Sequence, residues 1–305
     1  MGIRVLSLFD GIRCGMLALQ RAGIEVDKYC ASEINQKTIS IGNKNFPETI
    51  NLGDVTKISN EMLDTLGPID MVIAGSPCQD LSVYKYDRGD VKGLEGKKSN
   101  LFYQFERIVK YIKPKYFLLE NVPMEKQWEE LITDLLGVNP LKINSNLVSA
   151  AERKRLYWTN IPNITQPADK GLVIKDIIVP TSEVPEKYWY DKPFVYNGDN
   201  KKVQCTLGIN GHRNMKEVYN INFKCNTLLA DGDGGNRQKK VYQDGRCRKF
   251  MPIEYERMQT LPDNYTAIGE DGKMISDSAR YSAIGNGWTV DVIAHIFKNL
   301  ANEFN

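Results

Sequence analysis

The sequence predicts an α/β fold: a doubly wound, mostly parallel sheet with a smaller, irregular β-rich domain. Over about the first 160 residues, short apolar runs alternate with segments of helical periodicity, which is the pattern of parallel βαβ units. A polar side chain directly follows each of five such runs. Because ligands bind outside the carboxyl ends of strands in doubly wound sheets, we expect these side chains to line one rim. They are Asp10, Glu33, Asp54, Cys78 and Glu120.

The apolar runs predict strands at 3–9, 28–32, 50–52, 71–74 and 116–119. Helices are expected after Gly15 and over 36–45 and 101–112, where apolar residues recur at helical spacing. The segment 147–161 returns to the sheet with Arg153 and Arg155 two residues apart, so strand alternation predicts that both point to the same face.

The character of the chain changes after Pro162, where Pro, Gly and Asn become frequent and strands become short. No helical pattern returns until Ile253, after which helices are expected at 252–259 and 289–300. We therefore expect a target-binding domain at 163–249. Residues 1–162 and 250–305 are expected to form a discontinuous larger domain.

The composition excludes several classes of protein. The chain has 305 residues, of which 42% are hydrophobic and 26% are charged, so it can bury a core. No stretch approaches the ~18 apolar residues of a membrane span, and the N-terminus lacks a signal-peptide pattern. The six cysteines form no CxxC pair, so neither a metal site nor a disulfide framework is expected, and reduced thiols favour the cytoplasm.

The formal net charge is only +2, but the charge is unevenly distributed. Residues 200–250 hold eleven Lys or Arg against four Asp or Glu. Either this window is a solvated, loop-rich face or it binds phosphates of a nucleic acid. For the second interpretation, Arg237, Lys239 and Lys240 are the candidate contacts.

The turn Asp10–Gly15 joins the first strand to a helix. It is not a GxGxxG dinucleotide motif, but its glycines likewise allow close approach to the backbone. Glu33, about twenty residues on, suits the ribose hydroxyls of a nucleotide, and Asp54 suits an adenine amino group. An adenosine site without phosphate-binding residues fits S-adenosylmethionine better than NAD or ATP. The candidate cofactor residues are Phe9, Asp10, Gly11, Ile12, Gly15, Glu33, Ile34, Asp54, Val55, Pro77 and Leu81.

Residues 69–82 run from a buried strand through Gly75-Ser76-Pro77 to Cys78. A lone cysteine is more often a small buried residue than a nucleophile, but its surroundings here favour the nucleophile. Ser76–Gln79, Glu120–Val122 and Arg153–Arg155 resemble, in order, the motifs of the cytosine carbon-5 DNA methyltransferases. So do 257–262 and 285–288, and the likeness looks closest to the animal de novo branch. Many members carry Gln where this chain has Ala151.

The resemblance implies methyl transfer from S-adenosylmethionine to carbon 5 of a flipped-out cytosine in double-stranded DNA. Cys78 would add to the ring, Glu120 would act as the acid, and Arg155 would hold the exocyclic oxygen and, with Arg153, lower the pKa of Cys78. Asn286, Gly287 and Trp288 would fold back to the cofactor. The chain is similar to stand-alone bacterial or phage modification enzymes, as in restriction–modification systems.

A cytosine inside a duplex is unreachable, so the base must leave the stack. Residues 83–100, with three glycines, are expected to form a loop that closes over the DNA. Tyr84 is predicted to fill the gap left by the base; the alternative is a surface tyrosine. Ser82, Lys85 and Arg88 are further candidate DNA contacts.

Three other functions stay open at this point. A tRNA cytosine methyltransferase would use the same motifs on RNA. A non-catalytic binding partner would be expected to lack Cys78. A cysteine hydrolase needs a histidine base, for which only His212 and His295 exist. The sequence is compatible with a monomer or a homodimer.

Overall fold

The computed structural model describes residues 2–77, 99–230 and 237–301. The chain divides into two compact units. Met1–Asn144, Lys154–Gln166 and Val290–Asn305 belong to the first, and Ser145–Arg153 and Pro167–Thr289 to the second. The second unit includes 145–153 and 250–289. The division into domains at 162/163 and 249/250 stays a prediction.

The first unit is built on a seven-stranded sheet with strand order β3-β2-β1-β4-β5-β7-β6. Neighbouring strands from β1 to β5 pair in parallel, whereas β7 is antiparallel to both of its neighbours. The doubly wound, mostly parallel sheet is therefore confirmed. Its strands are β1 (Ile3–Leu8), β2 (Val26–Ser32), β3 (Ile50–Asn51), β4 (Met71–Gly75), β5 (Tyr116–Asn121), β6 (Leu141–Asn144) and β7 (Lys154–Thr159).

The helices of the described residues include the five predicted ones and four that sequence periodicity missed: α3, α5, α6 and α8. Short helices such as α3 show too few turns for a period to be recognised. The helices are α1 (Cys14–Arg21), α2 (Gln36–Asn45), α3 (Asn60–Thr65), α4 (Phe102–Ile112), α5 (Lys126–Leu136), α6 (Arg213–Lys216), α7 (Pro252–Met258), α8 (Asp277–Asn286) and α9 (Val290–Phe297).

Helix α4 shows how the core of the first unit forms. Phe102, Phe105 and Ile108 recur every three residues and are fully buried, which places them on one face of the helix. That face packs in a cluster with Val72 of β4 and Leu119 of β5. β4, in the centre of the sheet, is apolar along its whole length, as expected for a strand that is covered on both faces.

The second unit is built on a five-stranded sheet with strand order β12-β11-β10-β9-β8. Only β10 and β11 pair in parallel. A small core of two cysteines, Leu207 and Val218 lies within it. The β-rich character predicted for this region is confirmed. Its strands are β8 (Phe194–Tyr196), β9 (Val203–Leu207), β10 (Glu217–Asn220), β11 (Lys240–Gln243) and β12 (Arg246–Lys249).

Among the described residues, none of the helices has both the length and the apolar character needed to cross a bilayer. The same part of the chain contains no group of three His, Cys, Asp or Glu side chains placed to hold a metal ion.

Candidate active site

The carboxyl ends of the parallel strands of the first unit lie level with one another. Leu8 at the end of β1 pairs with Ser32 of β2 and with Ala74 of β4, and Gly75 pairs with Glu120 of β5. The residues that follow these strands therefore lie along one edge of the sheet, as the sequence predicted. Because β1 stands between β2 and β4, this edge includes the point where the strand order reverses, where doubly wound sheets bind ligands.

The turn after β1 is bound to the exit of β2 by the carboxylate of Glu33. The Gly11 N–H donates to Glu33 Oε2 at 3.0 Å, and Glu33 Oε1 accepts from the N–H groups of Ile34 and Asn35 at 2.8 and 2.9 Å. Gly11 has a φ of +63°, and a Cβ added there would meet no atom within 4 Å. This side of the turn is therefore open to close approach by a ligand, beside a fixed carboxylate.

Asp10 has a structural partner for each carboxylate oxygen. Oδ1 accepts from the Tyr29 hydroxyl at 2.6 Å, and Oδ2 pairs with Arg13, with both side chains of that ion pair fully buried. Burial and the Asp10 charge raise the pKa of Tyr29 well above its ordinary value. Asp10 thus stabilises the turn, and its contact with a cofactor stays a prediction. Arg13, in the left-handed region with φ of 67°, was not singled out from the sequence.

The exit of β3 presents Asp54 beside a one-turn 3₁₀ helix, Val55–Lys57. Asp54 Oδ1 accepts from the backbone N–H and the hydroxyl of Thr56 at 2.9 and 2.8 Å. These hydrogen bonds lower the pKa of Asp54, so the carboxylate is an acceptor at neutral pH. Val55 is buried, whereas the apolar side chain of Ile34 is 70% exposed.

An ion pair lies at the end of β5. Arg155 Nε is 2.8 Å from Glu120 Oε1, and the two side chains are only 12% and 9% exposed. Glu120 was expected just after the strand. It lies inside β5, one residue before its end, because pairing with β7 continues through Asn121. Arg155 lies on β7, the strand that extends this pairing.

The end of β5 is also bonded to the segment after β4. Asn121 Nδ2 donates to Ser76 Oγ at 2.9 Å, and both residues are buried. Pro77 is half-buried and is followed directly by Cys78. The structure therefore fixes the residues that directly precede Cys78. Cys78 itself lies outside the described residues, as do Leu81, Ser82, Tyr84, Lys85, Arg88 and almost all of the expected 83–100 loop.

The two arginines of the Arg153-Lys154-Arg155 motif have different partners. Strand alternation predicted one face for both, but β7 begins at Lys154, so Arg153 precedes the strand and the rule does not apply to it. Arg153 belongs to the second unit, is 7% exposed, and its Nη1 donates to the Gly285 carbonyl at 3.2 Å. This contact positions the backbone around residue 285.

The segment that contains Asn286, Gly287 and Trp288 is held by a second buried side chain, Gln259. Gln259 Nε2 donates to the carbonyls of Ile284 and Gly287 at 3.1 and 3.0 Å, and its Oε1 accepts from the Thr289 hydroxyl at 2.7 Å. We call Gln259 and Arg153 the 284–289 clamp. The motif 257–262 contains Gln259, but only the structure identifies what this residue binds.

Of the three candidate phosphate contacts in the basic window 200–250, two are buried. Lys239 is 6% exposed and Lys240 is 1% exposed. The Lys240 ammonium donates to the Gln238 carbonyl at 2.9 Å and lies 5.8 Å from the ring centroid of Tyr190. Lys240 lies on β11, an inner strand of the sheet, and the N–H of Lys239 donates to the Tyr255 hydroxyl at 2.7 Å. Arg237 is exposed, and its contact with DNA stays a prediction.

A Rossmann-like sheet with an acceptor-rich rim and a buried Glu–Arg pair defines the class of this protein as a methyltransferase fold, and solved structures agree. The chain superposes on the Entamoeba histolytica methyltransferase EhMeth with a TM-score of 0.76 at 17% identity, covering 100% of this chain and 99% of the other. For the Schizosaccharomyces pombe Dnmt2 methyltransferase the TM-score is 0.71 at 17% identity, covering 99% of each chain.

The chain belongs to the C-5 cytosine-specific DNA methylase family, whose sequence profile matches residues 3–130 and 143–302. It is 28% identical to the type II methyltransferase M.HhaI of Haemophilus parahaemolyticus, over 100% of this chain and 96% of that protein. It is 38% identical to the orphan methyltransferase M.Rho11sI of Bacillus phage rho11s, over 39% of this chain and 23% of that protein. The resemblance inferred from the motifs is confirmed.

Proposed function

We propose that this enzyme transfers a methyl group from S-adenosylmethionine to carbon 5 of a flipped-out cytosine in double-stranded DNA, through a covalent adduct with Cys78. The observation that carries the proposal is the Glu120–Arg155 ion pair at 2.8 Å. It lies on the same strand end that is bonded through Asn121 to Ser76, and Ser76 leads directly into Pro77 and Cys78.

The reaction requires a nucleophile from the enzyme, because carbon 5 of cytosine is too weakly nucleophilic to attack a methyl group by itself. The Cys78 thiolate forms a bond to carbon 6, and the electron pair of the 5,6 double bond moves toward carbon 5. Negative charge also develops at ring nitrogen 3, where Glu120 in its acid form donates a hydrogen bond. After methylation the carbon-5 proton leaves to a base, the Cys78–carbon 6 bond breaks, and the double bond is restored.

Arg155 contributes in two ways. Its Nε–H holds the Glu120 carboxyl in a fixed orientation, so the acid needs no reorganisation when charge develops on the ring. Its Nη1 donates to the Lys154 carbonyl at 2.7 Å, which fixes the plane of the guanidinium. Its remaining N–H groups are suited to the exocyclic oxygen of cytosine.

The rim of the first unit fits the cofactor. Glu33 presents a fixed carboxylate beside the open side of Gly11 for the ribose hydroxyls, and Asp54 presents an ionised acceptor for the adenine amino group. The exposed side chain of Ile34 supplies apolar contact for a ring, and Val55, which is buried, belongs to the same proposed set. When bound, S-adenosylmethionine supplies a methyl group made electrophilic by its sulfonium. Phe9, Ile12, Gly15, Pro77, Leu81 and Asn286–Trp288 complete the proposed set.

The substrate is tested by methyl transfer from radiolabelled cofactor to duplex DNA and, in parallel, to purified tRNA. Type II and phage modification enzymes among the relatives favour DNA. We expect label in DNA, recovered as 5-methylcytosine after digestion. Label in tRNA with none in DNA would establish the alternative, and bisulfite sequencing of DNA from cells expressing the chain would then show no conversion-resistant cytosines.

We also propose that Tyr84 fills the gap left by the flipped cytosine, with Ser82, Lys85 and Arg88 contacting the DNA beside it. Unstacking a base costs a few kcal/mol, least when the base is already mismatched. Tyr84→Ala should therefore slow methylation of a paired cytosine more than of a mismatched one. Equal slowing on both substrates would remove Tyr84 from this role.

A further inference from the structure

A groove with a volume of about 550 Å³ opens on the second unit between the β8–β9 hairpin and α6. Its lining includes four cationic side chains and a single carboxylate, that of Glu217. The cations come from two separate elements, because two lie on the hairpin and two on the helix. They are Lys201, Lys202, Arg213 and Lys216.

The cations differ in how far they are already neutralised. Lys202 pairs with Glu152 at 2.7 Å. Arg213 is 3.8 Å from Glu217, and its side chain is 95% exposed, so this contact is weak in water. Neither Lys201 nor Lys216 forms an ion pair with any residue that the structure describes. The groove therefore keeps a net positive charge that an anionic ligand can neutralise.

The hairpin that carries Lys201 and Lys202 is held in place by Asp199 and Asn220. Asp199 Oδ1 accepts from Gln204 Nε2 at 2.9 Å, and its backbone carbonyl accepts from Asn220 Nδ2 at 2.5 Å. The Asn220 N–H donates to the Lys202 carbonyl at 3.0 Å. The cations thus extend from an ordered backbone, and binding an anion costs less conformational entropy than from a flexible loop.

The edge strand next to the groove is exposed and aromatic. Phe194, Val195 and Tyr196 on β8 are 37%, 66% and 47% exposed, and Tyr196 precedes Asn197 in the groove lining. The Phe194 and Tyr196 rings each lie 5.8 Å from the Tyr242 ring, which holds them in place. Cations beside exposed aromatic side chains are typical of surfaces that contact the phosphates, sugars and bases of nucleic acids.

We infer that this groove binds the phosphate backbone of the DNA substrate, with Lys201 and Lys216 as its main contacts. The inference rests on the proposed function and goes further by locating the phosphate contacts. The proposed phosphate contacts are therefore not the buried Lys239 and Lys240. They are four other cations of the same basic window, on the face of the second unit formed by the hairpin and α6.

The test is the salt dependence of DNA binding by the full-length protein. A short mixed-sequence duplex serves as the probe, because phosphate contacts do not depend on sequence. Each phosphate contact contributes roughly 0.9 to the slope of log affinity against log salt. Lys201→Gln combined with Lys216→Gln should flatten that slope by roughly one to two units, and each single variant by about one.

Lys175→Gln combined with Lys273→Gln is the matched control, because it removes the same charge from two exposed lysines elsewhere on the second unit. Its slope should equal that of the wild type. A groove double variant whose slope also equals the wild type overturns the inference. Pyrophosphate binding is measured with the same groove variants. If they lose pyrophosphate binding while the DNA slope is unchanged, the groove is a site for free anions and the inference is overturned.

The two proposals fail differently. Wild-type protein that binds the duplex but methylates no DNA would refute the proposed function. Wild-type protein that methylates DNA, with an unchanged slope in the groove variants, would refute only the groove. Unaltered thermal unfolding of the variants shows that a changed slope does not come from misfolding.

Discussion

Glu33 illustrates how one residue can serve both the fold and the ligand. Its two oxygens accept three backbone N–H groups from Gly11, Ile34 and Asn35. Oε2 accepts only one of these bonds, so it has a further lone pair for a ribose hydroxyl of the proposed cofactor. Its backbone bonds give it a fixed position before the ligand arrives, which lowers the cost of binding.

Replacing Glu33 should therefore weaken cofactor binding. Glu33→Ala is expected to cost roughly 1.5–3 kcal/mol, the value for a lost hydrogen bond to a charged group, as measured by titration calorimetry with S-adenosylmethionine. Glu48→Ala removes an exposed carboxylate of the same unit and should leave the affinity as it is. An unchanged affinity in Glu33→Ala would exclude this residue from the cofactor site.

The cysteines that the structure describes are all buried. Burial raises the pKa of Cys225 from 9.0 to about 12 and that of Cys247, aided by the neighbouring Cys205, to about 12. A raised thiol pKa leaves less thiolate at neutral pH, here by about a thousand-fold, and the thiolate is the reactive form. Iodoacetamide should therefore modify the proposed nucleophile Cys78 first.

Mass spectrometry of the native protein after brief alkylation at neutral pH tests this expectation. Denatured protein is the control, since all six cysteines should then react at similar rates. Modification of Cys225 or Cys247 as fast as Cys78 in the native protein would contradict it.

The sequence predicted which residues follow the strands, but not the side chains that form hydrogen bonds in the folded protein. Glu33 and Asp54 were predicted because each follows an apolar run. Arg13 was missed because nothing in the sequence indicates a buried arginine in the left-handed region, bonded to Asp10 and to Asn51. That network requires β1 and β3 to be in register, which is a property of the folded sheet.

At the scale of elements, the 284–289 clamp shows how a turn is fixed by buried side chains. Gln259→Leu would leave two backbone carbonyls and the Thr289 hydroxyl without the partner they have in the native protein. The unfolding free energy should fall by roughly 1–3 kcal/mol, the cost of leaving buried polar groups unsatisfied. Because Asn286–Trp288 is a proposed cofactor segment, the KM for S-adenosylmethionine should also rise.

Gln166→Leu provides the matched control for this variant. Gln166 is exposed and makes one bond, to the Lys142 carbonyl at 2.9 Å, so its replacement should change the unfolding free energy by less than about 0.5 kcal/mol. Denaturant unfolding of both variants gives the comparison. Equal stability of the two would show that the bonds of Gln259 do not hold the turn.

The existence of β5 was predicted from the sequence, but its end was not. The run at 116–119 indicated β5, but its extension to Asn121 depends on pairing with β7, a contact between residues far apart in the chain. Arg153 lies just before β7, which begins at Lys154, so the face that it shares with Arg155 stays a prediction. Local pattern predicts that a strand exists, whereas its limits depend on its neighbours.

At the scale of the whole molecule, the sequence predicted the fold class, the rim and the family, and it located charge less well. Counting residues put eleven basic side chains in 200–250. Arg248 and Lys240 are nevertheless fully buried, Arg248 in an ion pair with Glu254 at 2.6 Å. Burial decides which charges reach the surface, so the basic groove was visible only in the folded protein.

The central claim is covalent catalysis by Cys78 on DNA, and trapping on modified DNA tests it most directly. With a duplex containing 5-fluorocytosine and with S-adenosylmethionine present, the carbon-5 substituent cannot leave as a proton, so the adduct persists. We expect a denaturation-resistant complex with wild-type protein, none with Cys78→Ser, and none when the duplex carries ordinary cytosine. A complex formed by Cys78→Ser at the wild-type rate would contradict the account.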